Sequence, residues 1–342
     1  MRIQSKRLSY VGLVGALIVL LIVPLVQDPR ENPFLINMLI MTFYYSYLSG
    51  SWNILAGYTG QYSFGHAAFV GLGAYTVAML YNFFAVSPWI GMLVGAAIAA
   101  CASFGVGLPS LRLKKHYFIL ITLAFAEILR ITFLNWREFS RGAAGIDYKL
   151  VDFSFVDFQF NTNRAPYYYF MLGLLVVSIL ICYKLRASTR GFYFVAVRED
   201  EIAAESLGVN VVQNKLISAT LSAVLTAFAG AFYAQYILFV DPDSVFSLDV
   251  MVKIFLPTAL GGIGTLFGPT VGAFILIPIS EVVRVSFGYI PGLHLIMYGA
   301  VLLAVSVVMP RGIVGTIFRS SSHKSSVLSR VLRQKSSQRD EN

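Results

Sequence analysis

Charge is scarce in this 342-residue chain: Asp, Glu, Lys and Arg together supply 13% of it, against about 25% in an ordinary soluble domain. A solvated globular or disordered protein is therefore excluded. Cysteine is almost missing. Cys101 and Cys182 are the two present, far apart and inside apolar runs, which excludes a disulfide scaffold or a thiolate metal centre. Four histidines, His66, His116, His294 and His323, form no H-x-x-x-H pair, so no metal site is expected. There is no G-x-x-x-x-G-K-[ST] phosphate loop and no G-x-G-x-x-G turn. No Ser/His/Asp or Cys/His set converges on one stretch, so neither an enzyme nor a cofactor is expected. The three longest polar stretches, about 137–166, 186–214 and 310–342, are each near 30 residues, too short for a nucleotide-binding domain. Any ATP-driven work must be powered by a separate polypeptide.

What the chain has instead is apolar length. Hydrophobic residues make up 57% of it. Residues 8–26, 34–56, 89–108, 117–136, 167–185 and 293–309 are nearly charge-free runs, close to the ~20 residues that cross a bilayer as a helix. Three further candidates are interrupted: 64–86 by Gly65, Gly71 and Gly73, about 250–262 by Pro257, and 267–285 by Pro269 and Pro278. The expectation is an all-α integral membrane protein of about ten transmembrane helices, some short or broken at glycine-rich segments. Run 8–26 follows Arg2, Lys6 and Arg7 as a signal peptide would, but it is long and leads into Gln27-Asp28-Pro29-Arg30. It reads as a retained first span. With an even count, Arg112, Lys114, Lys115, Lys184, Arg186, Arg190, Arg198 and the tail share one face, and the acidic loops take the other. Positive-inside bias makes the basic face cytoplasmic, with both termini there. Residues 311–342 carry seven basic and two acidic side chains. Lacking interleaved aromatics, residues 318–342 read as a disordered tail beside anionic headgroups, with no nucleic acid involved.

Two glycine-rich breaks share a pattern. One is Gly57-Tyr-Thr-Gly60-Gln-Tyr-Ser63-Phe64-Gly65-His66, the other Gly261-Gly262-Ile-Gly264-Thr-Leu-Phe267-Gly268-Pro269. Both have G-x-x-G followed by Phe-Gly, and both fall on the cytoplasmic side. Paired interruptions in two halves point to a transport pathway; packing glycines in tight turns are the plainer alternative. Glu127 and Arg130, at i and i+3 near mid-span, either line a polar path or neutralise each other in the packing. Glu281 and Arg284 repeat the spacing and read as an interface pair. On the cytoplasmic side, within about 190–214, Arg198-Glu199-Asp200-Glu201-Ile-Ala-Ala204-Glu205-Ser-Leu-Gly208 forms a short amphipathic helix that cannot stand alone. Its polar face is acidic, which disfavours lipid headgroups and favours a protein partner.

These segments, together with Leu108-Pro109-Ser-Leu111-Arg112-Leu113, Ala229-Gly230-Ala231-Phe-Tyr233-Ala234 and Pro310-Arg311-Gly312, resemble the permeases of branched-chain amino acid ABC transporters, LivM-type subunits. The likeness spans about 35–317, so residues 1–317 are expected to form the permease domain. The resemblance implies the ABC importer permease fold, a second homologous permease, two cytoplasmic ABC ATPases and an extracytoplasmic solute-binding protein. It implies that Arg198, Glu199, Asp200, Glu201, Ala204, Glu205 and Gly208 belong to the ATPase-coupling helix. The two breaks and the mid-span pair make Gly60, Ser63, Gly65, His66, Glu127, Arg130, Gly261 and Gly264 the candidates for the translocation path. One departure stands out: where the family has a Thr-Gly-Gly-x-x-Gly-like loop, this chain reads Ser140-Arg141-Gly142-Ala143-Ala144-Gly145. Urea and short-chain amide permeases are of the same kind and share the expectation. A stand-alone secondary transporter using Glu127 as a proton-linked carboxylate is the alternative from another class.

Overall fold

Helices make up nearly all the regular structure of this computed structural model, which describes residues 15, 17–26, 32–111, 113, 115–151, 154–160, 163–286, 296, 299–300 and 312–316. In chain order they are α1 (Leu17–Val26), α2 (Pro33–Asn53), α3 (His66–Phe84), α4 (Pro88–Ser110), α5 (Lys115–Asn135), α6 (Arg137–Ser140), α7 (Ala165–Ala187), α8 (Thr189–Glu199), α9 (Glu201–Ser206), α10 (Val211–Ile237), α11 (Pro242–Phe246), α12 (Leu248–Gly261) and α13 (Gly268–Ser286). Proline at the first helical turn opens α2, α4, α7 and α11, where its missing N–H costs nothing.

Seven stretches are long and apolar enough to cross a membrane: α3, α4, α5, α7, α10, α11 with α12, and α13. The expected figure of about ten is not reached among the described residues. Helix α1 is short, and α2 is diluted by Tyr44, Tyr45, Tyr47 and its serines. Most of run 293–309, Arg112, Lys114, Arg311 and the tail 318–342 lie outside the described residues. The longest helix, α10 with 27 residues, is absent from the apolar runs named above. Ser218, Ser222, Thr226 and Gly230 break its hydrophobic pattern, and all four are buried. Small residues at such places let backbones approach.

Helix α2 occupies the middle, packed by α7, α10, α12 and α13. Its polar side chains turn back on backbone carbonyls, as a dry interior requires. Ser51 donates to Tyr47 O (2.9 Å), Ser49 to Ile254 O (2.8 Å), and Thr258 of α12 returns a bond to Ser49 O (3.1 Å). Helices α3 and α10 cross at glycines: a Cβ on Gly73 would sit 2.1 Å from Ala227 O, and one on Gly230 2.0 Å from Val70 O.

At one end, strand β1 (Ile146–Asp147) pairs antiparallel with β2 (Phe239–Val240). The pairing ties the loop after α5 to the turn after α10. Arg141 adopts a left-handed backbone, φ 60°, beside Gly142 and Gly145 at 61° and 71°. This conformation favours residues without a Cβ. The Arg141 guanidinium lies over the Phe83 ring at 6.0 Å.

Candidate transport and coupling site

At the other end the two glycine breaks meet. Helix α2 does not simply stop; Ile54–Tyr58 continues it as one wide π-helical turn. Gly57 then lies so close to the second break that a Cβ on it would be 2.6 Å from Gly264 N. The Asn53 carboxamide bridges them, accepting from Gly264 N (2.8 Å) and donating to Thr265 O (2.9 Å). Gly60 and Gly264 take φ 70° and 78°, and both crowd the Arg198 side chain. Arg198 donates to Gly57 O (2.9 Å) and pairs with Glu199 (2.7 Å). Of the expected path residues, Gly60 and Gly264 are thus brought together with the coupling segment. Gly57, Gly60, Tyr62, Arg198, Glu199 and Ile263 border an open, polar-walled recess of about 470 Å³.

The stretch 59–65 runs inward from there. Gly65 reaches Thr122, where a Cβ would be 2.9 Å from its carbonyl. Thr122 is seven residues into α5, about 10 Å along the helix. The irregular backbone is satisfied from all sides: Trp52 Nε1 donates to Ser63 O (2.8 Å), Phe64 N to Thr122 Oγ1 (3.0 Å), and Gly65 N to Ser63 Oγ (3.2 Å). His66 opens α3 fully buried, its Nε2 2.7 Å from Ser222 Oγ, which donates to Ser51 O (2.6 Å). Gly261 packs against the Gly268 backbone. Ser63, Gly65, His66 and Gly261 do not line that recess; Ser63 and Gly65 border a small cavity of about 20 Å³ with Phe69 and Thr122.

The coupling segment is two helices. Ser188 caps α8 through Gly191 N, and Asp200 caps α9 through Ile202 N and Ala203 N. Gly208 has the positive φ (84°) that a C-terminal cap wants. Glu201 does not face outward. Its carboxylate takes Lys215 Nζ at 2.7 Å and Gln61 Nε2 at 3.1 Å, and the Lys215 side chain is 2% exposed. Ala204 is also inward, packed with Val197 and Val211. The segment leaves in the open Phe192 on α8 and, around α9, Ile202, 79% exposed, Glu205 and Leu207, 84% exposed, among others. Beneath it, burial pushes the Tyr58 phenol up, while the Arg186 guanidinium 5.8 Å from its ring acts the other way.

Glu127 and Arg130 lie elsewhere, on the outward face of α5. Arg130 holds Glu127 at 2.6 Å and, through its other nitrogen, Asp243 of α11 at 2.7 Å. Asp243 was invisible as a partner in the sequence, as were Asn53 and Lys215. Lys215 alone left a trace there, a lone cation near the start of an apolar stretch.

Arg198 is the strut between the coupling segment and both breaks. Arg198→Ala leaves the Gly57 carbonyl without that donor and is expected to cost about 1–3 kcal/mol. A thermal unfolding midpoint in detergent checks it; an unchanged midpoint refutes the strut.

Membrane-length helices wound about irregular, glycine-lined breaks define a multi-pass membrane permease. Comparison with known proteins gives the family: residues 34–306 match the permease component of branched-chain amino acid transport systems, and the chain belongs to that family. It is 28% identical to the high-affinity branched-chain amino acid transport system permease protein LivM of Escherichia coli, over 81% of this chain and 69% of that one. To LivH of Salmonella typhimurium it is 23% identical, over 79% and 91%. To the fructose import permease protein FrcC of Rhizobium meliloti it is 26% identical, over 55% and 54%. No solved structure matches. Family and apolar helices together make this an inner-membrane protein of an ABC transport system.

Proposed function

We propose that this chain is one of two permease subunits of an ATP-driven importer for branched-chain amino acids. The second permease is a related, non-identical chain. Two cytoplasmic ABC ATPases supply the energy, and an extracytoplasmic binding protein delivers the solute. Both termini then lie in the cytoplasm, on the side of α8 and α9.

The observation that carries this reading is the pairing of an exposed apolar edge with a rigid inner anchor. Ile202 and Leu207 stand in solvent, whereas Glu201, Ala204 and Arg198 fasten the same short segment to α10 and to both glycine breaks. An apolar edge of this kind suits a groove on a partner. Its anchor is placed to pass a partner's movement to the breaks.

Ile202→Asp with Leu207→Asp tests the docking. Both side chains are exposed, so the fold is expected to survive. Co-purification of the ATPases and ATP-dependent uptake in vesicles are both expected to be lost. Retained ATPase binding removes the docking surface. Uptake that persists without ATP and collapses with the proton gradient would favour the secondary transporter. The solute is the finest part of the proposal, since one relative is named for fructose import. Thermal shift of the binding protein against leucine, isoleucine, valine, urea, acetamide and fructose decides it.

A further inference from the structure

The two helices of the coupling segment carry opposite signs. Helix α9 is acidic, with Asp200 as its cap and Glu201 and Glu205 within it. Helix α8 follows the last turn of α7, which holds Lys184 and Arg186, and brings Arg190 in its own first turn. All three cations are exposed. At the far end of α8, Arg198 and Glu199 cancel each other at 2.7 Å, so the surface from 184 to 199 is left basic.

The same surface is apolar where water would favour polar groups. Gly191, Phe194 and Val197 recur every three residues, fall on one side of α8 and are buried. Around the rest of the helix Phe192, Tyr193 and Val195 are exposed, Phe192 by 68%. The backbone fixes the level at which this happens. Helix α7 has 23 residues, about 35 Å of helix, so its last turn reaches the edge of the ~30 Å hydrocarbon core. There Ser188 takes an extended backbone, and Gly191 folds back so tightly that a Cβ on it would lie 2.1 Å from Leu185 O. Helix α8 thus turns off at the membrane boundary. The open stripe of α7, Gly173, Val177, Leu180 and Lys184, runs down to the same corner. Lipid that covers the stripe therefore meets α8.

We propose that α8 lies in the headgroup layer of the cytoplasmic leaflet, with Phe192, Tyr193 and Val195 at the acyl boundary and Lys184, Arg186 and Arg190 held by anionic lipid. Aromatic and aliphatic side chains framed by Lys and Arg are what such a layer binds. A single protein groove covering both helices would have to change sign between α8 and α9. This rests on the cytoplasmic placement of α8 and α9 proposed above, and it adds a lipid ligand to a segment so far assigned to protein alone. Because Arg198 ties the end of α8 to the first glycine break, the lipid that seats α8 also sets the pivot on which α9 moves. ATP turnover by the complex then rises with anionic lipid.

The test uses the complex purified through this chain with its ATPases, reconstituted in phosphatidylcholine vesicles with or without phosphatidylglycerol. Phe192→Cys and, on α9, Ser206→Cys are each made in a Cys101→Ser background, Cys182 being buried, and carry a fluorescent label. Lipids spin-labelled just below the headgroup are expected to quench the label at 192 strongly and the one at 206 little. Equal quenching at both, or a label at 192 that the ATPases shield from lipid, overturns the lipid seat. Lys184→Gln with Arg190→Gln then removes two exposed cations and leaves the Arg198 strut in place. Each cation beside an anionic surface is worth roughly fivefold in membrane partition. ATP hydrolysis by the parent complex is expected to be several-fold faster with phosphatidylglycerol, and by the double variant equal in both vesicles, with the ATPases still co-purifying. A parent indifferent to phosphatidylglycerol, or a variant with the parent's full response, overturns the tuning by lipid. Loss of the ATPases from this variant makes α8 a protein-docking surface and overturns the proposal. Their loss from Ile202→Asp with Leu207→Asp leaves it intact. A chain that binds no ATPase in any form removes the importer reading, and quenching at 192 still decides the lipid seat.

Discussion

Glu201→Ala is expected to destabilise the protein by about 3–5 kcal/mol, because it strands a buried ammonium. Lys215 is almost wholly enclosed, and Glu201 is the carboxylate that meets it at 2.7 Å. Glu201 itself is about one-third exposed, so solvent relieves part of the loss and the lower end of the range is expected. Adding Lys215→Met removes the stranded charge and should restore most of the stability, since a buried pair replaced by apolar groups is often neutral. Denaturation in detergent, followed by tryptophan fluorescence, measures both. A single variant as stable as the parent shows that Lys215 finds water or another partner. Transport should stay low in the double variant even where stability returns, because α9 has lost its tie to α10 and Gln61.

Gly230→Val is expected to abolish recovery of folded protein. A Cβ there meets Val70 O at 2.0 Å, and the reciprocal contact is Gly73 against Ala227 O at 2.1 Å. Backbone oxygens cannot rotate away as a side chain does, so α3 and α10 must separate along their whole crossing. Overpacking a core already costs about 1–3 kcal/mol where side chains give way, and this contact has no such relief. Gly105 in α4 and Gly173 in α7 provide the contrast, with nothing within 4 Å of a built Cβ. Gly105→Ala and Gly173→Ala should be neutral or gain up to about 1 kcal/mol from helix propensity. Yield of monodisperse protein after detergent extraction separates the two classes. Normal yield from Gly230→Val rejects the close crossing.

The parts legible from sequence are those set by local chemistry. Apolar length marks α3, α4, α5 and α7, because lipid imposes a minimum run. Gly208 announces the end of α9, because a C-cap is a matter of one residue. The two G-x-x-G breaks are visible as a pair, and the structure sets them against each other through Gly57 and Gly264. What was hidden is long-range. Glu201 reads as an exposed acid on an amphipathic helix until Lys215 and Gln61, 14 and 140 residues away, are seen around it. The match of Arg130 to Asp243 across 113 residues is equally unreadable. Helix α10 is more apolar than α3 and α13; it escaped because Ser218, Ser222, Thr226 and Gly230 scatter small and polar residues through the run, where close packing needs thin side chains. Ser63, Gly65 and His66 read as path residues because glycine and polar groups in an apolar run suit a pore; the structure places them in a tightly seated loop, a seat the sequence does not reveal.

The wide turn at Ile54–Tyr58 has one last implication. Residues in it advance the chain with one more per loop than an ordinary helix would. A homologue shorter by a single residue there would swing everything after it about 100° around the axis. Gly57 would then turn its carbonyl away from Arg198, and Gly60 would no longer arrive beneath it. The length of this short stretch therefore matters as well as its composition: a one-residue deletion within Ile54–Tyr58 is expected to disrupt the meeting of the two breaks as Gly57→Ala would.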